Sequence, residues 1–350
     1  MKKLILLFFA IIIITGCGKR MATDIIEDIT FLEYHDMKIN EDSIYRSSDA
    51  IMYEDKVILV DDIGGNLLKV IDLSQGDIIS QSFVKGRGPE EVGYITSVSK
   101  VFEKKDEFYI VDPNNRRLTF FNIDSLIANR NHFFKKQVIN SIELRPFHLL
   151  QYSDSSYIAI GINTLNDKRL TIFNEYLEPI AYYLDYPISK KEDPSLNNFL
   201  LGAIFQSGIA IRPDGKRMVS VIYMSDYFDI IDLTKDEPET IFSKYSYLPE
   251  YKITGRNTHA VPSGAKQGYR GVQATDKYIL LFYSEDPTDR FTDRVLVTDW
   301  DGKPVMKFGL ELPVRQIVTD SDHRYLYGFS AAEMDGGHNR LLRYELTGLQ

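Results

Sequence analysis

Six times along this 350-residue chain an extended apolar run ends in a carboxylate or an amide: at Asp72, Asn122, Asn174, Asp232, Asp299 and Glu345. The runs read Val70-Ile71-Asp72, Phe120-Phe121-Asn122, Ile172-Phe173-Asn174, Ile230-Ile231-Asp232, Val297-Thr298-Asp299 and Arg343-Tyr344-Glu345, and successive copies lie 46 to 67 residues apart. That period is slightly longer than one four-stranded propeller blade. Before each copy lies a second β-rich run, at 57–60, 108–111, 157–160, 218–222, 278–282 and 325–329. Short polar connections such as Tyr53-Glu54-Asp55-Lys56 and Pro213-Asp214-Gly215-Lys216 precede these runs, with the Asp, Ser and Gly that tight antiparallel reversals need. The pattern predicts an all-β fold, a six-bladed β-propeller over 29–350. A sandwich or barrel also gives short strands, but not six matched units.

Closure of the ring follows from a shortage at the end of the chain. The sixth unit supplies three strands, near 314–319, 325–329 and 341–346, before the sequence stops. The segment Ile29-Thr30-Phe31-Leu32-Glu33-Tyr34 is β-rich and belongs to no unit. It is expected to take the empty fourth place in the last blade, removing two exposed edges that would invite aggregation.

The first seventeen residues give an address. Lys2 and Lys3 precede an apolar run at 4–14, then Thr15-Gly16-Cys17, the pattern of a bacterial lipoprotein signal. Eleven helical residues span roughly 16 Å, about half of a hydrocarbon core near 30 Å, so the run is too short to cross. Residues 1–16 are expected to be removed, Cys17 to be lipidated, and 17–28 to form a flexible tether. More than one acyl chain on that cysteine would give stable attachment. The expected location is the cell envelope, on a bacterial membrane, the outer in preference to the inner, with the body outside the cytoplasm. Membrane contact would be through the lipid alone. Cys17 is the only cysteine, so disulfides are excluded and stability must come from the apolar core. The formal charge is −9, and losing Lys2 and Lys3 with the leader makes it −11, which argues against nucleic acid as a partner.

The turn Gly86-Arg87-Gly88-Pro89-Glu90-Glu91-Val92 resembles the Gly-x-Gly-Pro-Gly-Glu signature of the TolB-like six-bladed propeller lipoproteins of Gram-negative bacteria. Glu90 departs from it, standing where that pattern has glycine. The resemblance implies a fold and a compartment; the family has no agreed activity to carry over. Taken by itself the turn is a crossover between blades, with glycines supplying unusual φ and Pro89 stiffening the reversal. Its sharper meaning is that it presents Arg87 and Glu90 to a ligand at the channel rim. No Gly-Lys-Ser/Thr follows, so it is not a phosphate loop.

Loop length indicates a binding face. The long insertions at 189–205, 246–270, 283–294 and 330–340 all emerge on one face, and the short Asp/Ser hairpins on the other. Candidate ligand-binding residues on the long-loop face, besides Arg87 and Glu90, are Arg116, Arg256, His259, Tyr269, Arg270, Tyr283, Glu285, Asp286, Arg290, Glu333 and His338. Acids, amides, arginines and tyrosines around a channel mouth suit a glycan, a peptide or an envelope protein. The expected function is therefore binding without catalysis and without a cofactor. The alternative is a calcium-dependent propeller hydrolase or lactonase, with Asp61, Asp112 and Asn114 holding the metal in the central channel. No His-Glu-x-x-His, Cys-x-x-Cys or Gly-x-Ser-x-Gly motif is present.

Overall fold

A computed structural model describes residues 28–39, 44–63, 65–86, 88, 91–128, 133–141, 143–254, 259–262, 268–286, 291–330 and 339–349, with backbone alone at 133–134 and 259–262. Two short strands open it, β1 (Thr30–Leu32) and β2 (Tyr34–Asp36). Blade 1 is β3 (Ser47–Tyr53), β4 (Lys56–Asp61), β5 (Asn66–Asp72) and β6 (Asp77–Val84). Blade 2 is β7 (Ser97–Lys100), β8 (Glu107–Asp112), β9 (Arg117–Asn122) and β10 (Phe133–Val138), with helix α1 (Ile123–Ile127) before its last strand. Blade 3 is β11 (Leu144–Ser153), β12 (Ser156–Asn163), β13 (Lys168–Asn174) and β14 (Pro179–Asp185). Helix α2 (Asn198–Ile204) follows, then blade 4: β15 (Ser207–Ile211), β16 (Arg217–Ile222), β17 (Phe228–Asp232) and β18 (Glu239–Lys244). A hairpin of β19 (Tyr251–Thr254) and β20 (His259–Pro262) precedes blade 5, which is β21 (Tyr269–Ala274), β22 (Tyr278–Tyr283), β23 (Thr292–Asp299) and β24 (Pro304–Val314). Blade 6 is β25 (Gln316–Thr319), β26 (Tyr325–Phe329), β27 (Leu341–Glu345) and, returning from the start of the chain, β2.

The second strand of each blade is apolar on both faces because it is covered on both sides. Val57, Ile58, Leu59 and Val60 of β4 are all fully buried, two in the core shared with blade 2 and two in the core shared with blade 6. Six such cores, one per pair of adjacent blades, hold the ring together. Each fully buried Leu, Ile or Phe contributes about 1.5–3 kcal/mol, so the seams dominate stability. A seventh cluster lies under the inserted segments, where Leu200, Leu201 and Ile204 of α2 pack with Tyr186, Phe205, Leu248 and Ile253.

The repeated polar residue now has a cause. Asp72 Oδ1 accepts the N–H of Ser74 at 2.8 Å, Asn174 Oδ1 those of Tyr176 and Glu178, Asp232 Oδ1 that of Thr234, and Asp299 Oδ1 those of Asp301 and Lys303. Asn122 does the same for Ser125 and thereby caps α1. Each side chain closes the turn from third to fourth strand by imitating a backbone carbonyl. Glu345 has no such turn to close, because its blade takes its fourth strand from elsewhere.

Closure differs from expectation in one respect. The expected segment does complete the last blade, but only from Tyr34 onward: Tyr34, His35 and Asp36 pair antiparallel with Tyr344, Arg343 and Leu342. Thr30, Phe31 and Leu32 instead run parallel to Phe308, Gly309 and Leu310, adding a fifth strand to blade 5. Leu32 is 4% exposed in the core between blades 5 and 6, and that burial sets the crossing point. The start of the chain thus fills the last blade and also fastens it to blade 5. The two helices are a further difference, absent from the sequence expectation. Both are short, and α2 lies inside an insertion.

Candidate functional site

The innermost strands, β3, β7, β11, β15, β21 and β25, surround a central channel with a cavity of about 630 Å³. Chain direction fixes its two ends: each inner strand starts at the long-loop face and finishes at the short hairpins. Three inner strands carry a β-bulge near their start, at Ser48, Phe147 and Arg270. A bulge inserts a residue without a partner and re-aims its neighbours. Here the bulges of blades 1, 3 and 5 bring Asp49, His148 and Arg270 to the same cavity. Blade 4 contributes differently. A Cβ on Gly208 would lie 2.8 Å from the Tyr223 hydroxyl, so the glycine makes room for Tyr223 to reach the channel from the second strand's end.

Two opposed effects set the chemistry of this end. Asp49 accepts the N–H of Ala50 at 2.9 Å and of Val98, on the next blade, at 2.8 Å, which favours the carboxylate. Burial is stronger, and the group is pushed up to about 7. His148 Nε2 lies 2.8 Å from the Tyr223 hydroxyl. Burial lowers the imidazole to about 4 and pushes the phenol up, so this pair stays neutral near neutral pH. Ser48 Oγ and Ser97 Oγ are buried and meet no partner among the described residues. Arg270, Arg315 and Gln316 complete the end, with the Arg315 guanidinium 5.2 Å from the centre of the Phe291 ring.

The wall between the ends is held by side chains reaching across blades. Gln151 accepts the N–H of Phe102, and Gln273 accepts that of Thr319 while donating to Ile317 O at 3.1 Å. Asp49 and Val98 form the same kind of clip. At the opposite end Glu54 pairs with Lys105 at 2.8 Å, and His323 Nδ1 lies 3.2 Å from Thr319 Oγ1, its pKa lowered by burial.

Of the ligand-binding candidates named from sequence, Arg87, Glu90, Arg256, Arg290, Glu333 and His338 lie outside the described residues, as does Cys17; the side chain of His259 does too. Among the rest only Arg270 lines the channel. Arg116 occupies a blade 2 turn at positive φ. Tyr269, expected in a loop, stands on β21 and is 7% exposed, its ring edge-on to Phe228 and Tyr283 between blades 4 and 5. Tyr283 ends β22, Glu285 is ion-paired with Arg294, and Asp286 is exposed.

The acids named for a metal are engaged by the protein. Asp61 accepts the N–H groups of Tyr45 and Arg46, each at 2.9 Å, and pairs with buried Lys69. Burial opposes its ionisation, but Lys69 and those N–H groups hold the carboxyl below its usual range. Asp112 accepts from Gly93 at 3.0 Å and from Asn115 at 3.1 and 2.7 Å. Asn114 sits exposed in the same turn. Both acids anchor an incoming loop to a blade, and neither lines the cavity. No cluster of three or more His, Cys, Asp or Glu able to hold a metal occurs among the described residues.

The 86–92 turn is likewise corrected. Neither Gly86 nor Gly88 has positive φ. The Glu91 carboxylate folds back to accept the Gly88 N–H at 2.7 Å, and a Cβ on Gly86 would collide with it. The glycines there make space. Arg117 donates to the Glu91 carbonyl, fastening the turn to β9.

Sequence reasoning missed Asp49, Ser97, Tyr223 and Arg315. Ser48 and Asp49 sit at the start of an inner strand, the position from which the first turn of that strand faces the axis, and that was the available signal. Tyr223 carried none, since its approach depends on Gly208.

The family model of the TolB-like six-blade propellers matches residues 31–322. A member of the DUF4221 family from Bacteroides vulgatus is similar in structure, with TM-score 0.57 at 12% identity, covering 91% of this chain and 98% of that one. A putative exported protein from Bacteroides fragilis is similar to the same degree, TM-score 0.57 and 12% identity, covering 89% and 94%. No curated protein matches the sequence. Six blades around one channel, the inter-blade cores and a family match spanning most of the ring agree: the chain belongs to the TolB-like six-bladed propeller family.

Proposed function

We propose that this protein is a lipid-anchored cell-envelope receptor, tethered through Cys17, that binds a glycan at the long-loop end of its central channel without catalysing a reaction. The observation that carries the reading is the polar end of the channel, where hydrogen-bonding groups from blades 1 to 6 converge on a cavity of ligand size. His148 is lowered well below neutrality and Tyr223 is raised, so neither is poised as a base or nucleophile. The hydrolase alternative has less support, because Asp61 and Asp112 accept hydrogen bonds from the protein itself.

A glycan array probed with the full-length protein in detergent tests the reading. Expected is capture of a defined glycan set, weakened at least tenfold by Tyr223→Phe or His148→Asn. Capture unchanged in both variants would remove the channel as the site. Fractionation tests the anchor: Cys17→Ser should move the protein out of the membrane fraction.

A further inference from the structure

The strand by which the chain enters the ring carries an exposed apolar strip. Tyr283, Arg294, Gly309 and Phe31 stand side by side across blade 5, from its second strand out to β1. A Cβ on Gly309 would lie 2.6 Å from the Phe31 ring and 3.2 Å from Ile29, so both side chains lie over the glycine on one face of the sheet. The Arg294 guanidinium backs the Phe31 ring, 5.4 Å from its centre. Leu32 points to the other face and is buried between blades 5 and 6, which fixes the strand. Phe31 is nevertheless 62% exposed, and Val305, at the bulge of the adjoining β24, is 39% exposed. The ring is seated by a glycine and an arginine and yet left open to solvent.

The place of this strip in the chain argues for its occupant. Thr30 follows Cys17 by 13 residues, which reach at most about 45 Å when fully extended. A domain of this length is roughly 50 Å across, so a path round half its rim exceeds that reach. A bilayer holding the cysteine can therefore touch the rim at blade 5 but not the far rim at blades 2 and 3. Charge does not draw the strip to lipid, because Asp28 and Glu33, on either side of Phe31, are exposed acids. Apolar burial remains, and aromatic side chains suit the headgroup boundary. An anchor that already holds the protein there raises the effective concentration, so a weak contact suffices.

We propose that Phe31, with Ile29 and Val305, rests in the headgroup boundary of the membrane that holds Cys17, so that the ring stands on its blade 5 rim. This posture rests on the anchoring proposed above and adds a contact beyond the lipid chains. It lays the channel axis along the membrane plane and leaves both mouths open to water.

Depth quenching on the lipidated protein in phosphatidylcholine vesicles decides it. Acylated Cys17 is the only native cysteine, so one introduced cysteine takes a bimane probe uniquely. Expected is quenching by brominated phosphatidylcholine at least threefold stronger for a probe at Glu33→Cys than at Tyr176→Cys, in the exposed β13–β14 turn of blade 3. Added to Glu33→Cys, Phe31→Ser should remove most of that difference and Phe31→Trp should retain it, both with the melting temperature unchanged. Equal quenching at the two positions, or a difference indifferent to Phe31→Ser, overturns the contact and leaves the anchor standing. Quenching that strengthens when phosphatidylglycerol is added overturns its apolar basis. Protein that fails to float with the vesicles overturns anchor and contact together.

Discussion

The imidazole Nε2 of His148 on blade 3 and the hydroxyl of Tyr223 on blade 4 are 2.8 Å apart inside the channel. The bond needs a bulge on one strand and a missing side chain on another. Burial moves the two pKa values in opposite directions away from neutrality, which favours the neutral form of both groups near neutral pH.

Gly208→Ala tests that arrangement. The new methyl would meet the Tyr223 hydroxyl at 2.8 Å and its ring at 3.1 Å. Displacing the ring should cost about 1–3 kcal/mol. Urea unfolding of the full-length protein should show the loss, and glycan capture should fall with it.

Asp49 and His148 give opposite pH slopes. Asp49 is raised from 3.8 to about 7, so its contribution is complete below about pH 4 and is lost as pH rises through 7. His148 is lowered from 6.5 to about 4, so its contribution is complete above about pH 6.5 and is lost as pH falls toward 4. Each spans on the order of 3–5 kcal/mol. Melting curves taken between pH 4 and 6.5 compare each variant with the wild type. Asp49→Asn should become more stable with rising pH across that window, and His148→Asn less stable.

The blade turns predict a graded series. Asp72→Ala, Asp232→Ala and Asp299→Ala each remove an acceptor that closes a turn, and each should cost about 1 kcal/mol. Glu345→Ala, at the sixth copy, should fall within about 0.5 kcal/mol of wild type. Denaturant midpoints compare the four variants.

Leu32 tests the staple. Leu32→Asp would bury an unpaired carboxylate between blades 5 and 6, with an expected loss of about 3 kcal/mol or more. Exposed Glu33→Ala, one residue on, should change the midpoint by less than about 0.5 kcal/mol.

The ring was legible because its determinants are local. Asp72 and its counterparts close turns through N–H groups two to four residues away, so their spacing survives in the sequence as a repeat. The channel is not local. Asp49 is significant because Val98 lies across a blade boundary, and Tyr223 because Gly208 yields space. Arg270 was named from sequence for its place in a loop, whereas it reaches the cavity through a strand bulge. Asp61 and Asp112 show the converse: acids near a channel mouth invite a metal assignment until the backbone N–H groups they accept from are seen.

The pairing of Tyr34 with Tyr344 has a consequence for biogenesis. A ribosome releases the first of these residues long before the second, so one edge strand must wait for its mate until the last blade has been made. Five blades can assemble while the chain is still emerging, but the latch cannot engage. A block in translation or translocation before β27 is made would therefore strand an open circlet with an unmated β2, the species most exposed to proteases and to mispairing with another copy.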